Sequence, residues 1–216
     1  MTTATPATST LEFIREPIEL VEPIEPHPLL LDVSHTVLYV TPDQFDQLCQ
    51  DNPDLRLELS KNGELIVMAP AGGESSGRNS DLTTDVNLWN RQTNLGRVFD
   101  SSCGYDFIAL GGGKLSPDVS WIEKSRLEKV SLKGFIPIVP DFVIELRSRT
   151  DRLKTLQEKM QEYQRLGVRL GLLINPQSQT VELYRPEQEV EVLESPETID
   201  CGEVMPGFIL SLSRIW

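Results

Sequence analysis

Apolar and polar residues alternate over residues 55–59, the pair Asn62-Gly63 interrupts, and the pattern returns over residues 64–68. Period-two alternation on both sides of a tight-turn pair predicts a β-hairpin. Before it, Thr41-Pro42 supplies an N-cap and a proline at the first helical position, which opens a short helix through Phe45 and Leu48. Residues 70–77 read as a Gly-rich loop that contains Glu74. Beyond it Leu82, Val86 and Trp89 recur at helical spacing as far as about Asn94. Gly72-Gly73 does not begin a phosphate-binding loop, because no Gly-Lys-Ser/Thr or second dinucleotide glycine follows. Short strands are predicted over residues 97–99, 105–110 and 118–122, with Gly111-Gly112-Gly113 turning between the last two. Another strand is expected over residues 142–146, then a helix over 151–166 that ends at Gly167. Residues 171–174 and 180–184 make a second hairpin across Asn175-Pro176, which residues 190–193 extend. No internal repeat is present. The order predicts an α/β (α+β) layered fold, a mixed β-sheet flanked by two principal helices.

Composition adds domain limits. Residues 1–35 are rich in Pro, Glu, Thr and Ser and lack lasting periodicity, so they read as a flexible N-terminal extension to a single domain over residues 36–216. No apolar run approaches the ~20 residues that span a bilayer. The first residues lack a basic segment followed by an apolar core, so no secretory signal is expected. Cys49, Cys103 and Cys201 are odd in number and widely spaced, which suits free thiols in a reducing, cytoplasmic setting. His27 and His35 are the only histidines, so histidine-based catalysis and histidine-rich metal sites are not expected.

The formal charge of −13 argues against a protein that coats nucleic acid non-specifically. It is unevenly spread. Residues 182–203 hold one arginine against eight acids, whereas residues 145–170 hold seven Lys/Arg against four acids. Charge alone is also met there by a solvated helix face.

That basic stretch begins at Glu145, a carboxylate inside the apolar run Phe142-Val143-Ile144-Glu145-Leu146. Such a group is costly unless paired. Two Pro-Asp pairs could supply the partner. Asp141 lies on the same strand, roughly 13 Å away along it, too far to share one ion. Asp118 belongs to another strand, and if the two strands are neighbours the carboxylates converge. A hard divalent cation suits such a pair, since magnesium uses one or two carboxylates with water and phosphate. Arg147 shares a strand face with Glu145. A Glu-x-basic strand beside an Asp-bearing strand is an arrangement that hydrolyses phosphodiesters. A structural Glu145–Arg147 ion pair at a sheet edge accounts for the same pattern taken alone. On the next helix, Leu153, Leu156, Met160 and Tyr163 form a core stripe. Lys159 borders it, within reach of the preceding strand or with its amine in water.

The segments RLELSKNGELIVMAP, SPDVSWIEK, PDFVIELRSRTD, LQEKMQEYQRLGVRLGLLINP and GEVMPGFILSLSRIW, in this order and spacing, resemble a family of uncharacterised restriction-endonuclease-like proteins abundant in cyanobacteria. That family is assigned to the PD-(D/E)XK nuclease superfamily, and the resemblance runs from about Thr41 to the C-terminus. It implies a restriction-endonuclease-like sheet with additional hairpins, and Asp118 and Glu145 as magnesium ligands. In the family the lysine two after the glutamate has migrated to the following helix, which corresponds to Lys159. Arg147 occupies the original lysine position, so this chain carries a cation at both. Glu74 matches an acid near the first long helix, though Ser75 stands where many members have histidine.

The expectation is therefore a magnesium-dependent DNA endonuclease, with manganese able to substitute. Asp118, Glu145 and the Leu146 carbonyl would hold the metal, Lys159 or Arg147 would supply charge, and a homodimer would serve double-strand cleavage. One alternative is a nucleic-acid-binding or regulatory domain on the same fold with weak or no catalysis. Another is a metal-free hydrolase using Asp118 and Glu145 as an acid/base pair, which the scarcity of aromatic residues disfavours.

Overall fold

A computed structural model describes residues 36–216, so the expected extension over residues 1–35 lies outside the described residues. Helix α1 (Pro42–Asp51) comes first. The Thr41 hydroxyl accepts from the Gln44 N–H at 3.2 Å, and the Thr41 N–H donates to the Gln44 side chain at 2.9 Å. The predicted hairpin follows as β1 (Arg56–Leu59) and β2 (Leu65–Met68), with Glu58 opposite Ile66. Helix α2 (Gly73–Thr93) begins inside the stretch that reads as a loop. Its glycines weaken the first turn, but Glu74 faces the positive end of the helix dipole and pairs with Arg78 at 3.0 Å.

Strand β3 (Gly96–Asp100) agrees with expectation, whereas the strand over residues 105–110 does not form as such. Only β4 (Tyr105–Asp106) is extended, and Ile108–Leu110 makes a 3-10 turn. Asp106 Oδ1 accepts the Ile108 N–H at 3.0 Å and Gly111 closes the turn at φ 70°, so local hydrogen bonds win over strand pairing. An unforeseen β5 (Lys114–Leu115) precedes β6 (Val119–Glu123), the single-turn α3 (Lys124–Leu127) and β7 (Phe142–Leu146). Helix α4 (Leu153–Leu166) ends on Gly167 at φ 97°, as its sequence predicts. Strands β8 (Leu170–Asn175), β9 (Thr180–Tyr184) and β10 (Glu191–Glu194) follow, then the paired β11 (Thr198–Asp200) and β12 (Ile209–Ser211).

The main sheet has six strands in the order β10-β9-β8-β7-β6-β3, and β7 and β8 are its one parallel pair, joined by α4. This is the mixed α+β layered fold. A second sheet, β2-β1-β5-β4, carries the first hairpin. Strands β7 and β8 are buried along their whole length, as central strands covered on both faces must be. On one face Phe142, Ile144 and Leu146 pack with Leu82, Val86 and Trp89 of α2 and with Phe208 and Leu210 of the C-terminal segment. On the other, Val143 packs with Met160 and Tyr163 of α4. Alternation along β7 puts Glu145 on the α4 side with Val143. Among the described residues, no helix is long and apolar enough to cross a membrane.

Candidate active site

The register of the sheet decides which acids meet. Strands β6 and β7 are antiparallel with Val119 opposite Ile144, so one step further Asp118 falls opposite Glu145. Asp118 Oδ2 accepts the Leu146 N–H at 2.8 Å, and Oδ1 accepts the Asn79 amide of α2 at 3.0 Å. The Asn79 Oδ1 is buried with no hydrogen-bond partner of its own.

Glu145, 4% exposed, accepts from Lys159 Nζ at 2.8 Å and from the Tyr163 hydroxyl at 3.2 Å. Both partners project from α4, which β7 feeds and which lies on the Glu145 side of the sheet. Lys159 thus borders the buried stripe and reaches the strand acid, the first of the two placements its sequence allows. The same ammonium donates to Glu58 Oε1 at 2.8 Å and to the Ser116 carbonyl at 3.0 Å. All three of its hydrogens have acceptors. Glu58 Oε1 also accepts the Ser116 N–H at 2.7 Å, which ties the hairpin to the segment that leads into Asp118.

Three acids therefore surround one ammonium. Burial raises the Glu145 carboxyl from 4.5 to about 8; Lys159 opposes this, while Asp118 and Glu58 add to it. Burial likewise raises Asp118, against the Leu146 N–H, Lys159 and the Asn79 amide. For Lys159, burial favours the neutral amine, but Glu145 and Glu58 outweigh it and hold the group charged well above its usual range.

These groups lie at the floor of a cleft of about 1090 Å³. It is lined as well by β2 and its continuation through Ala71, by Ser148, Arg149 and Thr150, and by α4. Among the described residues no set of three or more His, Cys, Asp or Glu side chains is arranged to hold a metal. The donors present nonetheless suit a hard dication. Asp118 and Glu145 offer carboxylate oxygens side by side, with more negative charge nearby than Lys159 balances, and magnesium commonly takes one or two carboxylates and water.

Other residues singled out by sequence lie apart from this cluster. Arg147 is just past the end of β7, and its guanidinium bonds to the Asp151 carbonyl at 3.2 Å and to Asn175 at 3.4 Å. It pairs with none of the three acids. Glu74 lines the cleft, but it is 58% exposed and engaged with Arg78. Asp141 is fully buried at the far end of β7, where Arg126 at 2.7 Å and Arg169 at 3.4 Å neutralise it and the Glu123 N–H donates at 2.9 Å. Pro140-Asp141 thus carries a structural acid, and Pro117-Asp118 the one that faces Glu145. Sequence reasoning missed Glu58, Asn79 and Tyr163. Alternation in Leu57-Glu58-Leu59 puts Glu58 on the polar face of a hairpin, and nothing local reveals that α4 covers that face.

Comparison with known proteins bears on the family and the fold. A family described as Uma2, "Putative restriction endonuclease", matches residues 42–213. No curated protein matches the chain. Among solved structures, a putative nuclease of the DUF820 family from Anabaena variabilis ATCC 29413 superposes with a TM-score of 0.67 at 26% identity, covering 82% of this chain and 97% of the other.

Proposed function

We propose that this chain, which belongs to the Uma2 family of putative restriction endonucleases, hydrolyses phosphodiester bonds in DNA with a magnesium ion held by Asp118 and Glu145. The observation that carries the reading is the meeting of Asp118, Glu145 and Lys159 at the floor of one open cleft. The family and the nuclease-like neighbour support the reaction class, and DNA is the substrate that a restriction endonuclease family suggests.

Asp118 is presented by the Leu146 N–H and Asn79, which leave lone pairs on both of its oxygens for a ligand in the cleft. Glu145 stands directly across the ladder, and the Leu146 carbonyl at the end of β7 is the third oxygen donor. A bound divalent ion would neutralise charge on the scissile phosphate and lower the pKa of a water molecule. Lys159 then keeps Glu58 and the Ser116 carbonyl as anchors and directs its remaining hydrogen towards charge developing on the phosphate. Manganese, with similar oxygen preference, would substitute.

Cleavage of labelled DNA, offered both as a single strand and as a duplex, tests the reading. Magnesium- or manganese-dependent cleavage is expected, and Asp118→Asn and Glu145→Gln should abolish it together with metal binding seen by calorimetry. Folded wild-type protein that neither binds these ions nor cuts either form would overturn it.

A further inference from the structure

Resting on the nuclease reading, we infer that the cleft takes one DNA strand, and that its substrate is single-stranded or unpaired DNA, not the interior of a duplex. The argument begins with the cations that line it: Arg56, Lys61, Arg149, Lys159 and Arg165. Lys159 is held by Glu58 and Glu145. Lys61 and Arg165 are both held by Glu162, at 3.2 and 2.6 Å. Arg149 has no carboxylate partner among the described residues, and the Arg56 guanidinium is bonded only to the Ser101 carbonyl among them. Two cations are thus available for phosphate.

A duplex carries one charge per about 1.7 Å of its axis, and proteins that grip it commonly neutralise some 6–10 phosphates. A chain with a net charge of −13 and two uncommitted cations in its cleft does not meet that demand. A single strand asks for far less, because only the few nucleotides inside the cleft need partners.

The lining agrees with the charge count. Ile66, Met68, Ala69, Pro70 and Ala71 give the cleft an apolar lining, and Ser148, Arg149 and Thr150 give it a polar one; Ile66 lies opposite Glu58 in the hairpin, on the face that carries the site. Ile66 is 36% exposed, so its apolar surface is open to a ligand in the cleft. Base faces would cover such a surface, but in a paired duplex they are stacked on one another and unavailable; an unpaired strand presents them. Its sugar-phosphate chain would then run along Ser148, Arg149 and Thr150, with the scissile phosphate over Asp118 and Glu145. One strand needs one active site, so this substrate requires no second copy of the chain.

The test is binding and cleavage of a 5′-labelled oligonucleotide of about 30 nucleotides, alone and annealed to its complement. Binding is read by fluorescence anisotropy with calcium in place of magnesium, so that it is scored apart from cleavage. The expected result is at least about tenfold tighter binding of the single strand, with a log–log salt slope of about −1 to −2, consistent with two neutralised phosphates. Arg149→Glu and Ile66→Asp, both at cleft surfaces, should each weaken strand binding several-fold, and circular dichroism checks that each variant is folded. Strand-selective binding without cleavage would sustain this inference while removing the nuclease reading. Equal or tighter duplex binding with a slope of about −5 or steeper would overturn the inference, and Glu145-dependent duplex cleavage alongside it would leave the nuclease reading intact. Binding of neither form would overturn both.

Discussion

Glu145 stays in an apolar strand because its cost is shared with a neighbour on the next helix. The Lys159 ammonium is 2.8 Å away, yet burial still raises the Glu145 carboxyl to about 8. Between the ordinary glutamate value of 4.5 and about 8, the folded chain holds a proton that the unfolded chain has released. The contribution of this group to stability is therefore complete at low pH and lost as pH rises through that window. Metal-free protein should melt at a lower temperature at pH 8.5 than at pH 6, and Glu145→Gln should flatten the slope and melt higher than wild type at pH 8.5. A wild-type slope unchanged by the substitution would count against this assignment. Glu58 acts differently, since it touches Lys159 and Ser116 but not Asp118 or Glu145. Glu58→Gln should lower the cleavage rate by about tenfold to a hundredfold, while metal affinity by calorimetry moves only a few-fold. A parallel collapse of both would make Glu58 a ligand, not a positioning residue. Asp118→Asn should instead reduce metal affinity by at least about a hundredfold.

The hairpin of β1 and β2 reaches the site because its backbone can lie close against the turn that leads into β5. A Cβ at Gly113 would overlap the Leu59 carbonyl oxygen and come within 2.8 Å of the Ser60 carbonyl carbon, both rigid backbone atoms. Gly113→Ala should therefore destabilise the fold by about 1–3 kcal/mol in urea unfolding. Since Leu59 adjoins Glu58, the same change should also slow cleavage; wild-type stability and rate would show that the hairpin does not need this approach. Elements of this kind mark the limit of what the sequence could show. Strand β7, helix α4 and the β8–β9 hairpin were legible, because apolar runs, a 3.6-residue stripe and Gly167 each encode structure locally. The pairing of Asp118 with Glu145 followed once their strands were taken as neighbours. The burial of Glu58 was not legible, because it depends on two sheets and a helix converging from distant parts of the chain. Arg147 shows the converse: period-two spacing put it on the face of Glu145, but the strand stops at Leu146 and the side chain turns to Asp151.

At the scale of the whole molecule, three acids and one ammonium on four segments are brought together by the fold, and a ligand that balances their charge should hold those segments in place. Adding magnesium or manganese at a hundredfold excess over Kd should stabilise the protein by about 2.7 kcal/mol, a rise in Tm of roughly 5–10 °C for a chain this size. Glu145→Gln should show no such rise. The proposed catalytic groups follow one another along one stretch of chain, Asp118 just before β6, Glu145 on β7 and Lys159 on α4, whereas Glu58 arrives from the other sheet. Lys159 meanwhile has every hydrogen engaged, on Glu58, on Glu145 and on the Ser116 carbonyl. An ammonium so occupied has nothing to offer a phosphate until one acceptor lets go, and Glu145 is the acceptor a dication would claim. On the proposed reading, metal binding and release of the lysine would be one event, so a strand that entered the cleft before the metal would find the Lys159 ammonium with no hydrogen to give.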